Sequence, residues 1–319
     1  MASETLYAGP AKLYRGTIGY FPEGEGGESK FEINQEKIAV NSAMHGRLRY
    51  NQGDATGEIT HKPTDNWKNM AGIFLPEFGA KVGATPAALS IGKKLAGLGT
   101  VVPTKLWVPG DARMYTAVCT YIASLPQLHL GNGKALFDTF KIGCIGDPDK
   151  SLGDADFLYT ITESAAADPG GVMAMDDFIQ EIWTAAWGED YTAMQAEEEF
   201  VVVPEYKVNV YKVQKLSRLV KLASVSYMVK GRLVGPTHTE IDAAIGINGG
   251  RLLGSAFGAE GTDLVLTSQS GKTITLKNAD AVGAGFEFGG TKLGTGEVGF
   301  VNALTLTNGT PDALIEFSA

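Results

Sequence analysis

The 319-residue chain has only two cysteines, Cys119 and Cys144, too few for a disulfide framework, and this points to a reducing compartment. It has no run approaching the roughly 20 apolar residues that a membrane helix requires, so membrane insertion is not expected. The first thirty residues contain Glu4 and Arg15 but no apolar core, which argues against export. Charge is sparse, at 20% of residues, and the formal net charge of −9 excludes a generally basic surface for gripping nucleic acid. There are only four histidines, His45, His61, His129 and His238, and they share no metal-ligand spacing with each other or with the cysteines. No Gly-x-Ser-x-Gly elbow and no His-Glu-x-x-His is present. With 44% apolar residues the chain still has ample material for a core, and its length suits two domains.

The charge is unevenly placed. Residues 1–170 carry 16 basic and 18 acidic side chains, and residues 200–319 carry 11 and 10. Residues 171–199 carry eight acidic and no basic ones, ending in Glu197-Glu198-Glu199. Two nearly neutral blocks are therefore joined by an acidic segment.

The outer blocks read as β structure, rich in Gly and Thr. Period-2 alternation runs through Tyr206–Val210, Val225–Val229 and Thr273–Leu276. Asn308-Gly309, between Leu304–Leu306 and Leu314–Phe317, predicts a hairpin. Phe140–Cys144 and Phe157–Ile161 around Asp147–Asp154 predict another. The joining segment has a different period. Met175, Phe178, Ile179, Ile182, Trp183 and Ala186 share one helical face, with Asp176 and Asp177 at its N-terminus and Gly188 at its end. The stripe is expected to pack on its own protein, with docking on a neighbouring subunit as the alternative. A weaker helix is expected around Trp67–Phe74. Residues 75–110 read as an insertion.

An internal repeat is legible. Lys37–Leu48, ending Gly46-Arg47-Leu48, parallels Lys221–Leu233, ending Gly231-Arg232-Leu233. Leu128-His-Leu-Gly131 parallels Phe286-Glu-Phe-Gly289 in the same order. The expectation is a domain duplication: residues 1–170 as a first β domain, 171–199 as an acidic helical connector, and 200–319 as a second β domain.

Catalytic motifs dissolve on inspection. Gly294-Thr-Gly296-Glu-Val-Gly299 matches a dinucleotide fingerprint by letter, but Phe300–Thr307 reads as a strand where the fingerprint needs a helix. Asp147, Asp149 and Ser151 have calcium-loop spacing, yet Leu158 stands where a bidentate Glu is required. The cysteines are expected to be buried thiols. No catalytic residue, cofactor or metal is predicted.

An early Gly-rich hairpin, a Gly-Arg-Leu strand, and Gly57-Glu-Ile-Thr-His-Lys-Pro63 leading into a Trp67 helix together resemble the major tail tube proteins of long-tailed bacteriophages. The duplicated pattern is similar to those carrying two tube domains in one chain. The resemblance implies mainly-β architecture, with two tandem β-sandwich or barrel domains and a connecting amphipathic helix. It also implies a structural, non-catalytic virion protein, assembled in the bacterial cytoplasm and located in the tail. Three chains would close a pseudo-six-fold ring, and stacked rings would conduct double-stranded DNA. Implied partners are copies of itself, the tape measure protein and transient DNA in the lumen, and tail terminator and distal tail proteins at the ends. The family's long loop reaches toward the adjacent ring. By position this falls on Phe21, Pro22, Glu23, Gly24, Glu25, Glu28 and Lys30, with Phe21 as an apolar anchor and an exposed loop without a partner as the alternative. Competing expectations are a capsid decoration or baseplate component, and a carbohydrate-binding β-sandwich using Trp67, Trp107, Trp183 and Trp187 as stacking platforms.

Overall fold

The computed structural model describes residues 11–15, 20–22, 29–63, 78–84, 86, 89–111, 113–131, 137–151, 153–162, 181–187, 191–212, 218–234, 262–282, 286–289, 292–295, 297–302, 306–307, 310–311 and 313–318. The fold is mainly β. Among the described residues the helical content is the 3-10 turn Pro109–Asp111 and a single 3-10 position at Phe78, and no helix is long and apolar enough to cross a membrane.

The first part of the chain supplies β1 (Lys12–Arg15), β2 (Tyr20–Pro22), β3 (Lys30–Ser42), β4 (Gly46–His61), β5 (Ala80–Val82) and β6 (Lys94–Gly97). Then come β7 (Thr104–Val108), β8 (Arg113–Ala117), β9 (Thr120–Ser124), β10 (Leu128–Gly131), β11 (Phe140–Cys144) and β12 (Tyr159–Thr162). The second part supplies β13 (Trp183–Trp187), β14 (Tyr191–Lys212), β15 (Arg218–Val234), β16 (Leu264–Ser268), β17 (Thr273–Leu276) and β18 (Ala279–Val282). It ends with β19 (Phe286–Gly289), β20 (Lys292–Thr295), β21 (Glu297–Asn302), β22 (Leu306–Thr307), β23 (Thr310–Pro311) and β24 (Ile315–Phe317).

Pairing repeats between the two parts. One first-part sheet runs β12-β8-β7-β1-β2 and another runs β3-β4-β11-β9. In the second part, β24-β17-β16-β13 and β14-β15-β21-β18 follow the same orders, and the two runs join where β13 pairs with β14. Each set therefore has a long hairpin, β3–β4 or β14–β15, whose second strand continues antiparallel to a later strand. Register fixes the correspondence: Gly57 faces Cys144 where β11 leaves β4, and Met228 faces Val301 where β21 leaves β15. The spacing between Gly57 and Met228 is 171 residues (228 minus 57), the same as between Arg47 and Arg218 (218 minus 47). Arg47-Leu48 near the start of β4 thus corresponds to Arg218-Leu219 opening β15.

Gly46-Arg47-Leu48 and Gly231-Arg232-Leu233 therefore do not occupy equivalent positions, and the backbone differs at the two glycines. Gly46 sits at the hairpin turn with φ +70° and open space around it. Gly231 lies mid-strand, where a Cβ would come within 2.8 Å of Phe200. Short triplets recur easily, whereas hydrogen-bonded register does not. Leu128–Gly131 and Phe286–Gly289 do fall in the same interval, between β9 and β11 and between β18 and β21.

The expected amphipathic helix face also needs correction. Met175, Phe178 and Ile179 lie outside the described residues. Ile182 is exposed, and Trp183 begins a strand that alternates buried and half-buried residues. Trp183, Ala185 and Trp187 point inward, so period 2 competes with period 3.6 over these residues. Pairing on both edges, to β14 and to β16, resolves the ambiguity toward strand. Residues 191–199, including the acidic triplet, belong to β14. The helix expected at Trp67–Phe74 lies outside the described residues.

The hairpin expected around Asp147–Asp154 does not form, and the one expected at Asn308-Gly309 forms only as the short β22–β23 pair, without Leu314–Phe317 as its second strand. β11 pairs with β4 and β9 while β12 pairs with β8, so the Asp147–Asp154 loop crosses between sheets. Likewise β24 leaves the small β22–β23 hairpin and pairs with β17 and, in parallel, with β5. Strand proximity in sequence suggests hairpins, but the repeated pairing order sends β12 to the other sheet and β24 to the far run of the joined sheet.

The core is continuous across both parts, from Leu13, Ile59 and Ile142 to Phe200, Leu266 and Phe317. Tyr227 is fully buried and its hydroxyl donates to the Phe78 carbonyl at 2.9 Å. Cys119 and Cys144 are free, buried thiols. β5, β6 and β10, from residues 80–131, join the sheet built mainly from the second part.

Candidate functional site

The two hairpins, equivalent in pairing, are in different surroundings. In β3, Glu32 to Ala39 are exposed, and across the turn Gly46 to Asn51 are exposed too. Between Gly57 and the turn the ribbon advances about ten residues at roughly 3.4 Å each, and so extends about 30 Å from its last contact with β11. A two-stranded ribbon alone is marginal in water. Its surface is nevertheless apolar, with Ile33 at 45%, Ile38 at 51%, Leu48 at 57% and Tyr50 at 52% exposure. Ile38, Val40, Arg49 and Asn51 share one face, because Ile38 pairs with Asn51 and Val40 with Arg49. On the other face Arg47 donates to the Tyr50 hydroxyl and stacks over its ring.

The tip is basic. Residues 37–51 contain Lys37, Arg47 and Arg49 and no Asp or Glu. The second hairpin shares this character: residues 207–221 contain Lys207, Lys212, Lys215, Arg218 and Lys221 and no acid.

Unlike the first, the second tip is held down within the chain. Leu219 and Val220 pair with Gly97 and Ala96 of β6. The approach is close enough that a Cβ on Gly97, where φ is +121°, would stand 2.4 Å from the Arg218 carbonyl oxygen. Asp54 of β4 anchors the same tip. Its Oδ2 accepts from Arg218 and lies 3.3 Å from Lys212 Nζ, while Oδ1 accepts from the Ala55 N–H at 2.9 Å. The Asp54 and Arg218 side chains are 8% and 9% exposed. Burial alone raises the Asp54 pKa, but hydrogen bonding and charge from Arg218, then from Lys212, outweigh it and hold the carboxyl below its ordinary value.

A second charged feature lies where β14 bulges between Ala196 and Phe200. Glu197, Glu198, Glu199 and Glu297 line a cleft of about 340 Å³ with Lys230 and Arg232. Arg232 lies 3.4 Å from Glu197, and Lys230 lies 3.3 Å from Glu297. His129 of β10 bridges Glu199 at 3.1 Å and Asp138 at 3.3 Å. The acidity concentrated in residues 197–199 is thus met locally by basic groups.

Of the loop residues expected from position, Glu23, Gly24, Glu25 and Glu28 lie outside the described residues. Phe21 and Pro22 lie in β2, paired with Leu13 and Lys12, so they are strand and not loop. Lys30 opens β3, exposed and paired with Glu32. The long exposed projection is the β3–β4 tip instead. Gly46, Arg47 and Leu48 sit on it, whereas Gly231 and Leu233 are buried and Arg232 reaches Glu197. The Lys/Arg run lacking acids was a usable signal for both tips, but their difference in burial was not readable from sequence.

The remaining candidates become structural. Trp183 and Trp187 are buried, and Trp187 donates to the Ala279 carbonyl at 3.0 Å, so neither offers a ring to a sugar. In the Asp147–Asp154 loop, Asp147 accepts from the Asp149 N–H, Asp154 accepts from the Ser151 N–H, and Lys150 pairs with Asp156. Gly294–Gly299 runs from strand to strand. Among the described residues no group of three His, Cys, Asp or Glu converges as a metal site. No family model matches the chain, and no curated protein matches it.

Proposed function

We propose that this chain is a structural subunit that polymerises into the tail tube of a long-tailed bacteriophage. Each chain contributes two tube-like domains, so three copies close a pseudo-six-fold ring, and stacked rings conduct genomic DNA. The supporting observation is the recurrence of one pairing order in both parts of the chain, each with a long basic hairpin. Such a repeat suits a ring in which successive positions are filled alternately by the first and second domain. The first hairpin's exposed apolar ribbon suits a subunit finished by its neighbours, since an isolated ribbon gains little stability alone. In this reading the chain works without catalysis, in the virion tail, after assembly in the bacterial cytoplasm. Its partners are itself, the tape measure protein, terminator and distal tail proteins, and DNA passing without sequence preference. Near-neutral blocks favour passage over retention, because a strongly basic wall would release counterions and hold the duplex.

Electron microscopy of the purified full chain tests this directly. Rings or tubes with three-fold symmetry are expected. Monodisperse monomer under all conditions, including with other tail components, refutes it.

A further inference from the structure

We infer that the outer face where β6 joins the β14–β15 hairpin is a sequence-independent contact for the phosphate backbone of double-stranded DNA, carried by Lys93, Lys94, Lys207 and Lys221. The choice of polyanion rests on the tail-tube reading above, in which the duplex is the anion that passes the subunit. The basic face itself does not rest on it.

Charge is segregated more sharply than the net value of −9 conveys. Residues 78–110 carry four basic side chains and residues 206–239 carry seven, and neither stretch has an acid. The rest of the chain holds the other 16 basic side chains (27 minus 11) against all 36 acidic ones. β6 comes from the first stretch and β15 from the second, and their pairing puts the two side by side. Lys94 stands opposite Lys221, and Lys221 stands opposite Asn209 of β14. Val220 and Leu222 point inward at 0% and 1% exposure, so Lys221 points outward between them. Val208 packs on the core, which turns Lys207 and Asn209 to the same outer face. Lys93 is exposed just before β6, where its carbonyl accepts from the Leu222 N–H at 3.0 Å.

Like charges directly across a strand pair are unfavourable unless an opposite charge offsets them. Elsewhere in these stretches acids do so: Lys81 reaches Glu316, Lys230 reaches Glu297, Arg232 reaches Glu197, and Asp54 takes both Lys212 and Arg218. Among the described residues Lys93, Lys207 and Lys221 make no ion pair, and Lys94 donates to the Leu98 carbonyl. Glu205, the next outward residue to Lys207 on β14, bounds the patch and accepts from Ser226 Oγ at 3.1 Å. The face therefore presents four cations to an anion from outside the chain. Beside them lie Asn209 and Ser224, residue types that hydrogen-bond phosphate oxygens. A lipid surface would call for apolar side chains at those two positions. Four phosphate contacts make a weak, salt-sensitive grip, compatible with passage of the duplex.

The experiment follows the anisotropy of a labelled duplex of about 30 base pairs against the full chain over a salt series. It compares the parent, Lys207→Gln, Lys221→Gln, the double variant, and Lys150→Gln. Lys150 lies outside the patch, paired with Asp156, and controls for the change in net charge. Thermal melting checks that each variant folds as the parent does. Parent affinity is expected to fall with a log–log slope of about −3.6 for four phosphates, roughly 150-fold between about 50 and 200 mM salt. Each patch substitution is expected to cost about fivefold in affinity and about one unit of slope, whatever the duplex sequence. Lys150→Gln is expected to stay within about twofold of the parent. No binding at about 50 mM salt, or patch variants that bind like Lys150→Gln, overturns the contact. Lysine-dependent binding to anionic vesicles without binding to the duplex also overturns it, in favour of a lipid surface. Electron microscopy of the same samples separates the two readings. Tubes without lysine-dependent DNA binding leave the tail-tube reading standing and the contact overturned. Lysine-dependent binding by a chain that never forms tubes supports the contact and refutes the tube.

Discussion

The Asp54–Arg218 pair carries a measurable coupling between the two parts of the chain. Asp54→Ala strands Arg218, whose side chain is 9% exposed, without its nearest counter-charge. Removing one partner of a buried pair costs roughly 3–5 kcal/mol, and the lower end applies here because the neighbouring Lys212 is 67% exposed. At roughly 2 °C per kcal/mol for a chain of this size, melting falls by about 6 °C. Arg218→Met costs less, about 2 kcal/mol, because Lys212 and the Ala55 N–H remain with the carboxylate. The double variant removes both charges together and is expected to cost about 3 kcal/mol, leaving a coupling of about 2 kcal/mol. Denaturant unfolding of the parent, both singles and the double completes the cycle. The sign with pH follows from the depressed Asp54 pKa. The stabilisation is present above the ordinary carboxylate value of 3.8 and is lost as pH falls through the lower folded value. Stability of the parent therefore converges on that of Asp54→Ala only below about pH 4. A coupling under about 0.5 kcal/mol, or convergence already near pH 6, would falsify the assignment of this pair as the clamp on the second tip.

Gly97→Ala places a methyl group against the Arg218 carbonyl at positive φ, and a loss of about 2–4 kcal/mol is expected in chemical denaturation. A neutral result would mean that β6 does not approach β15 this closely. Tyr227→Phe leaves the buried Phe78 carbonyl without its donor, and calorimetry is expected to show a loss of about 1–3 kcal/mol. Burial pushes the Cys144 thiol up to about 11 from 9.0. Its neutral form is favoured in the fold, so about 3 kcal/mol of stability is lost as pH rises from about 9 to about 11, and thiol reagents are expected to react only on unfolding. Rapid labelling of Cys144 in the native protein at pH 8 contradicts this burial.

Much of the β content was legible because alternation is local. Thr273–Leu276 coincides with β17, and Phe140–Cys144 with β11. The helix face misled at Trp183 because apolar residues at 183, 185 and 187 satisfy period 2 as well as part of a helical stripe, and only the strands on either side decide between them. The repeat was visible as matched fragments, but its register was not. Gly46 opens its strand directly after the turn, paired with Ser42, whereas Gly231 lies mid-strand between Phe200 and Val298, partners far away in sequence. The resemblance puts the reaching loop, by position, at Phe21–Lys30. The projecting ribbon is instead Glu32–Asn51, whose strand-like alternation gives no sign of whether anything covers it.

The parallel contact between β5 and β24 sets a timetable. Lys81 and Glu316, adjacent in that contact, are 235 residues apart in sequence. At typical synthesis rates of roughly 5–20 residues per second, β5 waits roughly 10–50 s for its partner to be made. During that interval the edge that β5 will share with β24 lacks this partner, and an unpaired strand edge is a template for adding a foreign strand.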